Sequence, residues 1–172
     1  IFNFGLGNIG SLVNALKFLE TKVVVIEHYK ELELKENYDG VILPGVGSFD
    51  DGMKSLRDRH LDRAFFEISD TNVKILGICL GMQMLLNTSE ESNNESKGLG
   101  FFKGKVKKLS NLEAPVPHIG WTKTKSSKIT EKNIEFDINY LNGDFYYVHS
   151  FFAELSNSNE VIGNFNHGSA SR

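Results

Sequence analysis

Apolar side chains follow two rhythms along this chain, and the change from one to the other divides it. In the first half, short apolar runs at residues 1–4, 22–27, 40–43 and 73–78 alternate with stretches whose apolar positions recur at helical spacing. Residues 8–20 place Ile9, Leu12, Val13, Leu16 and Leu19 on one helix face, and Asn8 can cap that helix by accepting an orphan amide hydrogen bond. Polar residues 48–52 lead into an amphipathic helix with expected buried positions Met53, Leu56, Leu61, Phe65 and Ile68, and residues 82–86 begin another. The charged stretch 29–37 reads as a short helix or loop. Short apolar strands separated by helices are the pattern of an α/β fold with a mostly parallel central sheet and helices on both faces, because a parallel crossover is long enough to hold a helix.

The second half changes character. Residues 87–97 are polar and acidic and read as a solvated loop, while 101–109, 118–123 and 144–155 read as strands of an antiparallel extension. Residues 126–139 are ambiguous, their charges most simply surface charges. Neither an internal repeat nor an interdomain linker interrupts the chain.

Composition narrows the function classes. With 172 residues and 40% apolar content, one core can form without covalent staples, so a single domain over 1–172 is expected. Nineteen basic against 22 acidic residues give a formal charge of −3, too balanced for a phosphate-tracking surface or an anionic-membrane anchor. Neither nucleic acid nor membrane is expected as a partner. No apolar run approaches the ~20 residues that span a bilayer, and with no signal peptide visible the expected location is the cytoplasm. A single cysteine rules out an intrachain disulfide framework, and the histidines at 28, 60, 118, 149 and 167 form no ligand cluster in the sequence, so no metal or other cofactor is expected.

The chemistry centres on Gly77-Ile78-Cys79-Leu80-Gly81, directly after the apolar run Val73-Lys74-Ile75-Leu76. Strand, nucleophile and helix in that order form a nucleophile elbow, a tight turn that tolerates little bulk two residues either side of the reactive group. The helix that follows aims free amides at the sulfur and favours its reactive anion. Pro44-Gly45-Val46-Gly47 ends an earlier strand with a backbone free to approach a ligand. In a parallel sheet both turns reach the carboxyl edge, where ligands collect.

Six segments carry a resemblance over nearly the whole chain: Asn3-Phe4-Gly5-Leu6-Gly7-Asn8, Leu43-Pro44-Gly45-Val46-Gly47-Ser48-Phe49, Gly77-Ile78-Cys79-Leu80-Gly81-Met82-Gln83, Gly98-Leu99-Gly100, Pro117-His118-Ile119-Gly120-Trp121 and Tyr147-Val148-His149-Ser150. In them the sequence resembles the class I, triad-type glutamine amidotransferases, which have a flavodoxin-like fold, and among these the glutaminase subunits of imidazole glycerol phosphate synthases. The elbow is common to many amidotransferases; segments 117–121 and 147–150 point to these subunits.

The resemblance implies that Cys79 attacks the side-chain amide of L-glutamine, forming a glutamyl thioester as ammonia leaves, and that water then releases glutamate. It implies an oxyanion strand at Gly45, Val46 and Gly47, with the amides of Val46 and Leu80 holding the tetrahedral oxygen. Gln83, His149 and Ser150 would contact the substrate, the last two at its amino-acid end. Trp121 would face a (β/α)8-barrel synthase subunit that uses the ammonia in histidine biosynthesis. By residue type alone, Trp121 is equally a core aromatic, Gln83 a helix surface residue and His149 a local hydrogen-bonding residue.

The sequence departs from the family in one place. The family completes its triad with His-x-Glu near the C-terminus, whereas here His149 is followed by Ser150-Phe151 and His167 by Gly168-Ser169. The base and its orienting carboxylate are therefore expected on a C-terminal segment beyond these residues. Two other readings stay open: a paralogous subunit feeding a different synthase, such as a sugar-aminating enzyme, and an inactive interaction module of the same fold. A stand-alone cysteine hydrolase would share the elbow but leave 117–121 and 147–150 unexplained.

Overall fold

A computed structural model describes residues 1–32, 38–93, 96–112, 114–126 and 138–171; the expectations for 33–37 and for most of 126–139 lie outside the described residues. Helix α1 (Ile9–Phe18) forms where the apolar spacing predicts, and the Asn8 side chain accepts from the Ser11 amide at 3.2 Å. No residue of α1 is buried, and both Phe18 and Leu19 are exposed; Leu19, expected on the apolar face, lies just past the helix end.

Strands β1 (Gly40–Leu43) and β2 (Lys74–Gly77) pair in parallel, Val41 opposite Ile75 and Leu43 opposite Gly77. The expected strands at 1–4 and 22–27 extend this layer: Phe2 N donates to Ile42 O at 3.0 Å, Asn3 N to Ile26 O at 2.8 Å and Ile26 N to Ile1 O at 2.9 Å. The order across the layer is therefore 22–27, 1–4, β1, β2. Val41 and Leu43 are buried, whereas Ile42, on the opposite face by strand alternation, is half-buried.

The amphipathic run after Gly47 forms two helices rather than one, α2 (Phe49–Asp58) and α3 (Leu61–Ser69), broken at His60 with φ 54. The step from Leu56 to Leu61 would turn the apolar stripe by about 140° on a continuous helix. Breaking the helix returns both side chains to the core, so Met53, Leu56, Leu61, Phe65 and Ile68 are all buried as expected. Helix α4 (Leu80–Met84) begins two residues before the expected 82.

The polar stretch after α4 is more than a solvated loop. Within it β3 (Thr88–Ser89) pairs in parallel with β4 (Gly104–Lys108), and the Glu91 carboxylate accepts from Phe49 N at 2.8 Å, satisfying an orphan amide at the start of α2. One contiguous core joins Phe2, Phe4, Val41 and Leu43 to α2, α3, α4 and Val106 of β4.

The antiparallel part comprises β5 (His118–Ser126), β6 (Gly143–His149), β7 (Phe151–Leu155), β8 (Gly163–His167) and β9 (Ala170–Ser171), arranged in sheets of order β3-β4-β7 and β6-β5-β8-β9. The run 144–155, expected as one strand, divides at Ser150, and its halves join different sheets. No glycine or proline marks that division. Strand β8 was not expected either: its Gly-Asn-Phe-Asn-His sequence has little strand propensity, and pairing of Phe165 with Thr124 of β5 supplies what propensity lacks.

Candidate active site

Strand β2 delivers the chain to the elbow, where Ile78 N donates to Leu43 O at 2.9 Å and the backbone turns sharply at Cys79, with φ 53 and ψ −115. Positive φ is strained for a residue with a Cβ, and such strain is held only where the surroundings fix it. They do so here by close approach. A Cβ on Gly77 would stand 2.6 Å from Met82 Cα, and one on Gly81 would stand 1.7 Å from Leu43 O. Cys79 sits exposed at the start of α4.

The Pro44-Gly45-Val46-Gly47 turn packs directly on this elbow. A Cβ on Gly45 would meet Phe4 Cζ at 2.9 Å and Gly81 N at 3.2 Å, so only glycine allows the approach. Two strand ends separated by a helical crossover thus meet at the carboxyl edge. The two amides expected as oxyanion donors are both engaged: Leu80 N donates to Gly45 O and Val46 N to Leu6 O, both at 3.3 Å. Val46 is exposed, and Gly47 holds φ +112 with open space where a Cβ would point.

Gln83 lies one turn along α4, its backbone N–H donating to Cys79 O at 3.1 Å. It is buried, 8% exposed, and so does not belong to the solvated helix surface that its residue type alone allowed. His149 and Ser150 occupy the junction between β6 and β7. His149 Nδ1 bonds to Phe151 O at 2.7 Å, Ser150 O accepts from Leu109 N at 2.8 Å, and His149 Nε2 is buried with no partner among the described residues. Burial pushes the His149 imidazole below its ordinary pKa; the Phe151 carbonyl opposes this and the neighbouring His167 adds to it.

The structure therefore brings Cys79, Leu80, Gln83 and Gly45–Gly47 together. Among the described residues no hydrogen bond joins the Cys79 thiol to any histidine, and no group of three or more His, Cys, Asp or Glu is placed to hold a metal.

Trp121 is 72% exposed, which excludes the core-aromatic reading. It packs edge-on against Tyr146 with ring centroids 5.6 Å apart. Register sets Ile119 opposite Val148 and Trp121 opposite Tyr146, so four exposed apolar side chains share one face of the β5–β6 pair. His118, given no role by residue type, stands at the centre of a cluster on the other face. The alternation His118, Gly120, Thr122, Thr124 along β5 was the available signal.

Three comparisons bear on this geometry. Residues 3–112 match the family described as the CobB/CobQ-like glutamine amidotransferase domain. The chain is 39% identical over 160 residues to the imidazole glycerol phosphate synthase subunit HisH of Helicobacter hepaticus, covering 88% of this chain and 73% of that protein. It is 35% identical over 170 residues to the protein of that name from Prochlorococcus marinus subsp. pastoris, covering 98% and 79%. A Bacillus cereus protein of that name is 40% identical over 157 residues, with 90% and 70% covered. Among solved structures, one described as a glutamine amidotransferase matches 96% of this chain and 83% of its own with a TM-score of 0.64 at 15% identity, a likeness of fold.

Proposed function

The chain belongs to the glutamine amidotransferases, and from that premise we propose that it is the glutaminase subunit of an imidazole glycerol phosphate synthase, hydrolysing L-glutamine through a thioester on Cys79. The observation that carries this reading is the exposed Cys79 at a strained elbow, packed against a glycine turn whose Gly45 carbonyl takes the Leu80 amide. The thiolate adds to the glutamine side-chain carbonyl, the carbon–nitrogen bond breaks as the nitrogen takes a proton and leaves as ammonia, and water then cleaves the thioester to glutamate.

The tetrahedral oxygen needs donors that are free when charge develops on it. Here the Leu80 amide is free only after the Gly45 carbonyl turns away, and the Val46 amide only after leaving Leu6 O. We assign that rearrangement to the 45–47 turn, where Gly47 carries a backbone conformation that few other residues adopt. Gln83 and the His149-Ser150 turn hold the substrate.

The base and its carboxylate belong, in this proposal, to chain that continues past Arg172. Two features support it. Strand β2 has one neighbour among the described residues, with Leu76 and Ile78 exposed beside it. Leu16, Ile42 and Leu76 also line a groove of about 330 Å³ on that layer, open to a further segment.

The partner is a (β/α)8-barrel synthase that takes the Ile119, Trp121, Tyr146 and Val148 face, forming a heterodimer through which ammonia is channelled. Among the described residues no helix is long and apolar enough to cross a membrane, and we place the pair in the cytoplasm. Glutamate release by the full-length chain is expected to rise strongly when the cognate barrel and its ligand are added. Trp121→Ala is expected to weaken that complex by about 30-fold, as loss of a central aromatic anchor does, with unchanged circular dichroism. Equal activity with and without the barrel, or undiminished affinity in the calorimeter, would count against the pairing.

A further inference from the structure

The inner face of β5, β6 and β8 gathers three histidines with no carboxylate among them. His118 lies cross-strand from His149, their ring centroids 5.4 Å apart, and 5.3 Å from the ring of His167, which is 5% exposed. Tyr147 and Phe165 wall the cluster, stacked with centroids 4.8 Å apart. Three contacts run through it in series: His118 Nε2 to Thr122 Oγ1 at 2.8 Å, His118 Nδ1 to His167 Nδ1 at 3.1 Å, and His167 Nε2 to Ser110 O at 2.9 Å.

The last contact fixes the rest. A carbonyl only accepts, so His167 Nε2 carries the proton and, in the neutral ring, Nδ1 is an acceptor. His118 Nδ1 must then donate to it, which leaves His118 Nε2 to accept from the Thr122 hydroxyl. Every hydrogen bond is satisfied with both rings neutral, in opposite tautomers. The series ends on Ser110, whose neighbour Leu109 donates its amide to Ser150 O at 2.8 Å. It begins at Thr122, beside the exposed Trp121 on β5. From this geometry we infer that His118 and His167 are positioning residues, a tautomer-fixed relay that ties the partner-facing strand β5 to the glutamine-binding turn at His149-Ser150. The role in glutamine binding rests on the glutaminase reading; the relay itself does not.

The relay has a defined response to pH. Protonating His118 adds an N–H at Nε2, so the Thr122 hydroxyl can no longer donate there and must turn to accept, and it places a charge beside the His149 and His167 rings. The groups facing His118 are His149 and Tyr147 from β6 and His167 from β8; the Tyr147 hydroxyl is engaged by Thr124 at 2.6 Å. Burial, then the charges of His149 and His167, lower the His118 pKa below its ordinary 6.5. A depressed histidine keeps its neutral form above the unfolded value and loses that contribution as pH falls through the folded one. The neutral, tautomer-fixed form of the relay is therefore kept at neutral pH and lost on the acid side.

The test uses the full-length chain in complex with its barrel. In the wild type, nitrogen-15 NMR of the imidazoles is expected to show His118 protonated at Nδ1 and His167 at Nε2; the reverse tautomers overturn the relay whatever the enzyme does. His118→Phe, which keeps the ring and removes both nitrogens, should raise the glutamine KM about tenfold while kcat falls less. It should also flatten the acid-side rise of KM expected of the wild type. His118→Asn, whose amide can still donate at the Nδ1 position, should recover part of the loss. An unchanged KM and pH profile in His118→Phe defeats the positioning role even if the tautomers are as stated. A wild-type complex that releases no glutamate from L-glutamine would instead defeat the glutaminase reading and leave the NMR result to decide the relay.

Discussion

Cys79→Ser is expected to lower barrel-stimulated glutamine hydrolysis by at least about 10³-fold while leaving fold and partner binding intact. The substitution changes one atom at an exposed position, so packing gives it little to disturb. A serine hydroxyl can occupy the same strained φ, but it ionises far less readily than a thiol and is the weaker nucleophile at the pH where the enzyme works. The loss should appear in kcat, because the groups assigned to substrate binding, Gln83 and the His149-Ser150 turn, are untouched. Steady-state glutamate formation by the complex measures it. Activity within tenfold of the wild type would remove Cys79 from the chemistry.

Gly81→Ala carries the second large effect, and it is structural. The added Cβ would lie 1.7 Å from Leu43 O and 2.6 Å from Leu43 C. Both are backbone atoms of β1, so no rotamer relieves the clash, and α4 must lift from the strand beside it. Because Leu80 and Met84 of that helix are buried in the core, a destabilisation of about 4 kcal/mol or more is expected, at the upper end of single substitutions. Gly10→Ala is the matched control. Gly10 is exposed within α1, its added Cβ meets nothing, and helix propensity predicts a gain of about 0.5–1 kcal/mol. Urea denaturation of both variants separates the cases; equal midpoints would show that the elbow is not held by this close approach.

The parallel half was legible because its signals are local. Apolar runs bounded by glycine or proline gave the strands at 40–43 and 73–78, and the stripe of Met53, Leu56, Leu61, Phe65 and Ile68 gave a buried helical face. The break at His60 was harder to see, since neither glycine nor proline marks it; only the offset between Leu56 and Leu61 records it. The second half depends on pairing across long separations. Nothing at Ser150 announces that β6 and β7 enter different sheets, and β8 owes its existence to β5 rather than to its own asparagine-rich sequence.

The site divides in the same way. The glycines around Cys79 state their purpose in sequence, because bulk is excluded wherever two backbones touch. That the Leu80 and Val46 amides are engaged by Gly45 and Leu6 carbonyls is a matter of peptide orientation, which residue identity does not encode. Composition likewise left Trp121 open between core and surface, and the register with Tyr146 decides it. The histidine cluster was only partly legible for a similar reason: alternation along β5 marks the face of His118 but not the residues that meet it there. His118 and His167 stand 49 positions apart and meet only through the shared strand β5.

The most direct test of the thioester mechanism is to expose the full-length complex to a diazo-ketone analogue of glutamine, whose reactive carbon becomes bonded to the attacking sulfur as dinitrogen leaves, and to map the modified peptide by mass spectrometry. One adduct per chain is expected, on Cys79 and suppressed by excess L-glutamine; an unmodified Cys79 peptide, or labelling that glutamine does not prevent, would contradict it.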